Sequence, residues 1–191
     1  MNIKRFAAVL GAAILCTGLM SCGEGVVFED KREPIDNAIE ALKAQDGEML
    51  SDSYFSDNQV EYEAEMWSGV SVDEYYEIFS AYLKRVDTYY KEKYGEDYVM
   101  EYSDGVLVQI EDENFAEINE KYHAESNGKE TYHFNEGYIS NGTLSIKGSL
   151  GEDSETVEVM LIKSKREGWK CYLTDTFFAH FYSESEIDLS K

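Results

Sequence analysis

No stretch of this 191-residue chain is apolar over the roughly 20 residues that a bilayer-spanning helix requires. Positive charge is scarce as well. Lysine and arginine number 17 against 39 aspartates and glutamates, for a net charge of −22. That balance excludes nucleic acid as a partner, because no basic patch is available to displace its counterions. It also opposes electrostatic adhesion to anionic lipid or wall polymer. The excess acid reads as a solvated, non-sticky surface, and no motif argues for a basic or cationic ligand. Histidine and cysteine occur three times each, and neither falls in metal spacing: H-E-x-x-H, paired C-x-x-C and the D-x-D-x-D-G loop are all missing. The G-x-S-x-G elbow, the phosphate loop and the dinucleotide fingerprint are missing too. No cofactor is expected, and no metal site.

What is present begins with three successive zones at the N-terminus. Met1–Arg5 carries Lys4 and Arg5 without an acid, and Phe6–Leu15 is uncharged and apolar. A short apolar run behind a positive start is the form of an export signal rather than a spanning helix. The zone closes on Leu19-Met20-Ser21-Cys22. This ending resembles the bacterial lipobox, with Leu19 in the aliphatic place, Ser21 in the small-residue place and Cys22 as the obligatory cysteine; Met20 is a less common occupant of its place. The resemblance implies that Cys22 receives a diacylglycerol, that the Ser21–Cys22 bond is cut, and that the new amino terminus is acylated with a fatty chain such as palmitate. Cys16 is rejected as an alternative, because Leu15 before it is too large and it abuts the apolar run. An ordinary secretory signal and a short membrane anchor are the competing readings. Residues 1–21 are then a signal peptide and the chain is anchored in the cell membrane, facing the extracytoplasmic side. Removing them takes two basic residues and no acid, so the mature charge is −24. Lipid alone would hold such a domain, and two or more acyl chains suffice for that at ~0.8 kcal/mol per buried CH₂.

In the mature chain only Cys171 remains as a free thiol, so no internal disulfide can form. Period-2 alternation puts it on one face with Trp169 and Leu173, which predicts a buried and inert cysteine.

Residues 22–33 read as a lipidated tether; the eleven residues from Gly23 would reach about 18 Å if flexible. A single domain is expected over 34–182, with a tail over 183–191. Pro34 opens a helix whose stripe is Ile35, Ala38, Ile39 and Leu42, stopped by Asp46-Gly47. A short helical piece covers Glu48–Phe55, and a polar, irregular stretch runs from Ser56 to Gly69. Ser71-Val72-Asp73-Glu74 has capping-box form, with Val70 and Tyr75 placed for a hydrophobic staple. The Tyr-rich helix behind it should end near Tyr94, with Gly95 just past the end. The period then changes to two. Strands are predicted at Tyr98–Tyr102, Val106–Ile110, Thr131–Ile139, Thr143–Ser149, Thr156–Ser164 and Trp169–Thr174. Turn signals separate them at Asp104-Gly105, Asn127-Gly128, Asn141-Gly142, Gly151 and Glu167-Gly168. Asn141-Gly142 is the strongest of these, as a type I′ hairpin signal. Phe115, Ile118 and Tyr122 point to a short helix within Glu113–His123. Helices first and strands after gives an α+β fold, with N-terminal helices packed on a curved, cone-like antiparallel sheet.

Two segments resemble the nuclear transport factor 2-like (cystatin-like) superfamily. Ile39-Glu40-Ala41-Leu42-Lys43-Ala44-Gln45-Asp46 is similar to its opening helix. Val157–Leu173, with Val159, Leu161, Ile162 and Gly168-Trp169-Lys170, is similar to its last hairpin. The resemblance implies a cone whose concave face holds a ligand or, in enzymatic members, an Asp, His or Tyr base. No catalytic residue carries over. His133 reads as a solvated strand histidine with no second catalytic group placed against it, His123 trails the short helix and His180 follows Phe177-Phe178-Ala179 near the C-terminus, while Glu111-Asp112-Glu113 and Glu152-Asp153 read as solvated charge at turns. The expected function is a lipid-anchored binding or accessory protein of the cell envelope, with a peptide, wall fragment or small molecule as ligand. The alternatives are a cone-fold isomerase or dehydratase and a structural protein that contacts another protein. The first two need an open concave face; the third needs a filled cone and an apolar patch elsewhere.

Overall fold

In the computed structural model, residues 26–66, 69–125, 134–166, 168–172 and 181 are described. The signal, Ser21, Cys22, His133 and His180 lie outside them. So do the turn signal at Asn127-Gly128 and the expected tail.

Helix α1 (Glu33–Ala44) buries the predicted stripe, with Ile35, Ala38 and Leu42 fully enclosed. It ends on Gln45, which takes a left-handed φ of 57°. Asp46 does not stop α1: it caps the next helix, accepting a hydrogen bond from Met49 N. Helix α2 (Gly47–Tyr54) therefore starts on a glycine. Any Cβ there would stand 2.1 Å from Tyr76 O, so the small residue sets how closely two helices approach.

Helix α3 (Asp57–Met66) occupies the stretch expected to be irregular. Its start is a reciprocal cap: Gln59 N donates to Ser56 Oγ, and Ser56 N donates to Gln59 Oε1. Val60 and Ala64 then turn inward against Tyr75. Helix α4 (Val72–Tyr94) has the expected capping box between Ser71 and Glu74, and Gly95 follows it with a φ of 109°. Val70 packs against the cluster around Tyr75, as a staple requires.

The sheet comprises β1 (Val99–Gln109), β2 (Glu136–Gly148), β3 (Gly151–Ser164) and β4 (Gly168–Cys171), all antiparallel in the order β1-β2-β3-β4. It is not closed into a barrel. Helix α5 (Asn114–Glu125) lies between β1 and β2 in the chain, as the spacing of Phe115 and Ile118 predicts. The fold is thus α+β.

Two expected turns are not turns. Asp104-Gly105 is a bulge inside β1, where the register shifts between Ser103 and Val106. Asn141-Gly142 lies mid-strand in β2, with Asn141 opposite Val106 and Glu158. Gly142 is there because the Tyr102 ring lies across it; a Cβ would meet Tyr102 Cζ and Oη at 2.2 Å. The Tyr102 hydroxyl reaches beyond to Ser140, 2.7 Å from its Oγ. A glycine that looks like turn chemistry instead makes room for an aromatic ring. The real hairpin turn is Ser149-Leu150, between the paired Gly148 and Gly151. It is tied down by Asp97, which accepts from Ser149 N and Oγ, and by Leu150 N donating to Tyr94 O.

One face of the sheet is filled. Met100, Tyr102, Leu144, Ile146, Val157, Val159, Leu161, Trp169 and Cys171 all pack into a single core with α1, α2 and α4. Helix α1 touches both edge strands, β1 and β4, so the sheet wraps around it. The segment before α1 spans the same width: Phe28 bridges Gly168 in parallel on β4, and Arg32 Nη2 donates to Tyr102 O on β1. Phe28 is buried in the core, so the fold takes hold of the chain well before Glu33, where the expected tether ends.

Candidate functional site

The concave, helix-facing side is where the resemblance puts a ligand or catalytic base, but α1, α2 and α4 occupy it. Among the described residues the open concave face that the ligand-binding and enzymatic readings need is absent. A filled face with an apolar strip elsewhere is what the third reading, contact with another protein, needs. The most buried acid of the helix-facing side is Asp87, on α4, 2% exposed. Tyr98 Oη donates to one carboxylate oxygen at 2.8 Å; Gln45 Nε2 and Lys91 Nζ donate to the other at 2.8 and 2.7 Å. A buried carboxylate held by three donors, one of them charged, is a structural strut joining α1, α4 and β1's approach. Burial, and after it the same carboxylate, push the Tyr98 hydroxyl far above the ordinary tyrosine range. Asp87 lines neither of the grooves described below.

A second polar knot sits where the N-terminal segment meets β4. Lys170 is 1% exposed, and its ammonium donates to Asp52 O at 2.8 Å and to Val26 O at 3.4 Å. Burial pushes the half-buried Asp52 carboxyl up to about 6, against the pull of Lys170 and of a hydrogen bond from Val26 N. These groups bind α2, β4 and the N-terminal segment to one another. Nothing in the sequence marks Lys170 as buried, since strand alternation places it opposite Trp169 and Cys171.

The open surface is the other face of the sheet, and its two ends differ. At the hairpin end, a groove of about 650 Å³ is lined by Glu101, Ser145, Lys147, Glu152 and their neighbours. Lys147 and Glu152 already pair there at 3.2 Å. Glu152 and Asp153 are strand residues, not turn residues, and Asp153 accepts from Tyr94 Oη at 3.0 Å. Exposed groups that stay hydrated offer little affinity.

The opposite end is apolar. Helix α5 packs Phe115 and Ile118 onto Ile110, Phe134 and Ile162, with Ile139, Met160 and Tyr172 partly buried beside them. Asn119 holds the far side of the helix to the strand approach, exchanging two hydrogen bonds with the backbone of Phe134. Between α5 and the sheet runs a groove of about 500 Å³, with Val108, Ile139 and Met160 as floor and Ile118 and Tyr172 as walls. Its rim carries Glu111, Glu117 and Lys121, and the Lys121 ammonium lies 5.4 Å from the centre of the Tyr172 ring. Along β1 the apolar surface continues into Val106 and Val108, 71% and 50% exposed. Desolvation of such a surface is worth about 25 cal/mol per Å² to a partner that covers it.

The remaining sequence candidates fall as follows. Cys171 is wholly buried and burial drives its thiol far above the ordinary range, so it is no nucleophile. His123 stands exposed on α5. Glu111-Asp112-Glu113 is exposed at the turn into α5, and Glu111 alone of the three lines the groove. No group of three metal-ligating side chains comes together among the described residues. None of the described helices is long and apolar enough to cross a membrane.

The structure brings together the two sides of this groove from residues 108–121 and 139–172. Sequence reasoning missed it because outward-facing Val108, Ile139 and Met160 look like ordinary strand alternation. An apolar residue on the solvent side of each of three neighbouring strands was the available signal. Set against protein-family models, curated proteins and solved structures, the chain matches none.

Proposed function

We propose that this chain is a lipid-anchored, extracytoplasmic binding protein of the bacterial cell envelope, which takes an apolar segment of a partner into the groove between α5 and the outer face of the sheet. The observation that carries the binding role is the contrast between the two faces of the sheet. Among the described residues the helix-facing side is packed with side chains, while the outer side leaves Val106, Val108, Ile139 and Met160 as an exposed or half-buried apolar strip. Folding gains nothing from leaving that strip in water, so its use lies in contact with something else. The acids at the rim favour a partner that carries lysine or arginine beside its apolar residues. The anchor rests on the resemblance of Leu19–Cys22 to a lipobox and on the charged and apolar zones before it.

Two measurements test the two halves. Cys22→Ala should release the protein from the membrane fraction on alkaline washing; stable attachment of the variant would overturn the anchor. For the groove, Nile red should fluoresce in the presence of the purified protein. Met160→Glu and Val108→Glu should each remove most of that signal without changing the melting temperature. Undiminished fluorescence in both variants rules the groove out as a binding surface.

A further inference from the structure

Strand β1 is an edge of the sheet, and its second half is the most exposed strand segment in the fold. Residues Ser103–Gln109 are all exposed, including Val106, Leu107 and Val108 at 71, 37 and 50%. The register shows which backbone groups are spoken for. Ile110 N donates to Gly137 O, and Val108 and Val106 stand opposite Ile139 and Asn141 in the same phase. The peptide groups of Leu107 and Gln109 therefore face away from β2. Farther along, Arg32 Nη2 donates to Tyr102 O, so that carbonyl is taken just before the exposed second half begins. The bulge at Asp104-Gly105 divides them, and the Arg32 guanidinium lies 3.3 Å from the Asp104 carboxylate there. Proteins usually blunt such an edge with lysine, proline or a covering loop. Val106-Leu107-Val108 has no lysine or proline of its own and no covering loop among the described residues.

We infer that the partner segment binds as an added strand: an extended peptide of another protein, apolar at alternate positions and basic between them, pairs with Leu107 and Gln109 and lays its apolar side chains beside Val106 and Val108 at the mouth of the α5 groove. This deepens the proposed binding role and rests on it. Main-chain hydrogen bonds supply affinity in such pairing, and side chains at every second position supply selection. Charge settles the occupant. The edge runs from Asp104, which is already paired with Arg32, to Glu111, Asp112 and Glu113, which are all exposed and carry the attraction. A second copy of a chain with net charge −22 would bring like charge to like, whereas lysine or arginine in the partner strand would meet these acids.

The test uses the full-length chain in detergent and a fluorescein-labelled peptide of alternating valine and lysine, followed by fluorescence anisotropy. Two N-methylated forms of the peptide are compared, each methylated along one of its two hydrogen-bonding edges. Strand addition predicts that one form binds like the parent and the other at least about tenfold more weakly. Leu107→Pro in the protein removes an outward donor and no β1–β2 ladder bond, so it should weaken the parent peptide by a similar factor while melting like the wild type. Equal binding of the two methylated forms overturns strand addition and leaves the groove reading, judged by Nile red, intact. Failure of the parent peptide to bind overturns the inference as well. A dimer in sedimentation that Leu107→Pro converts to monomer assigns the edge to a second copy instead. Because the methylated peptides leave the protein unaltered, the inference stays testable even if Leu107→Pro misfolds.

Discussion

Lys170 sits on a four-residue strand with its ammonium out of water, and it acts as a fastener. Its stem lies in the core and its charge is spread over the carbonyls of Asp52 and Val26 and over the Phe28 ring, 5.8 Å away. Lys170→Met keeps most of the stem and leaves those carbonyls short of a donor, so it should cost about 3 kcal/mol in urea unfolding near neutral pH. The cost should depend on pH in a defined direction. The Asp52 carboxyl is raised from 3.8 to about 6 in the folded protein. Its contribution is therefore full below the unfolded value and lost as pH rises through about 6. Removing Lys170 withdraws the charge that holds this carboxyl down. The loss in Lys170→Met should then be smaller near pH 4, where Asp52 is protonated, than at about pH 8. Equal losses at both would show that the Lys170 charge is not felt at Asp52.

At the scale of elements, two predictions follow from how β2 and α4 are built. Gly142→Ala places a methyl group against the Tyr102 ring and should destabilise by about 2 kcal/mol. In a Tyr102→Leu background the cost should shrink without vanishing, since Ser103 O would still be 2.6 Å from the new Cβ. A thermal or urea double-mutant cycle measures the coupling. In α4, Ser71→Ala removes one half of the capping box and should cost about 1 kcal/mol. The backbone and side chain of Ser71 hold the exposed Glu74 carboxyl below the usual range. That contribution is present at neutral pH and fades as acid protonates Glu74. Ser71→Ala keeps the larger, backbone bond and loses the hydroxyl's, so a carbon-13 NMR titration should find the carboxyl moved part of the way back up. An unmoved Glu74 would mean that the bond from the Ser71 hydroxyl contributes nothing to holding the carboxyl down.

The same elements tell how much could be read from residues alone. The cap at Ser71, the helical stripes of α1 and α4 and the short α5 were legible, because each rests on neighbours three or four positions apart. The cap at Ser56 is equally local, an S-x-x-Q in place of S-x-x-E, but the polar residues around it carry no apolar stripe to mark a helix. Asn141-Gly142 could not be read correctly from local sequence. Its glycine answers to a tyrosine 40 positions earlier, which the β1–β2 register pairs with Leu144 and whose ring lies diagonally across Gly142. The candidate groove was illegible for a similar reason, since its floor comes from three strands and its wall from a helix.

For the molecule as a whole, charge is the dominant fact. A net −22 over the 191-residue chain repels itself, and the described ion pairs that offset it are mostly exposed. Salt should therefore stabilise this protein. Raising sodium chloride from low concentration to about 0.5 M shortens the Debye length to a few Å and should raise the melting temperature by several degrees, with most of the gain by about 0.2 M. A flat response would place the acids too far apart to matter.

The bridge between Phe28 and Gly168 has a mechanical consequence. It fastens the N-terminal segment at the β4 margin, while the proposed partner strand would join at the β1 margin, the width of the sheet away. Tension between the proposed membrane anchor and such a partner would run across the strands rather than along them. Bonds loaded in that direction open one after another, at lower force than bonds sheared together. The contacts loaded first are the single Trp169 N to Phe28 O bond and the hold of Lys170 on Val26. Their release would pay out Val26–Arg32, roughly 20 Å of chain at full extension, before any ladder of the sheet is loaded. The fastener would then act as a fuse with slack behind it, letting the envelope flex without unfolding the domain.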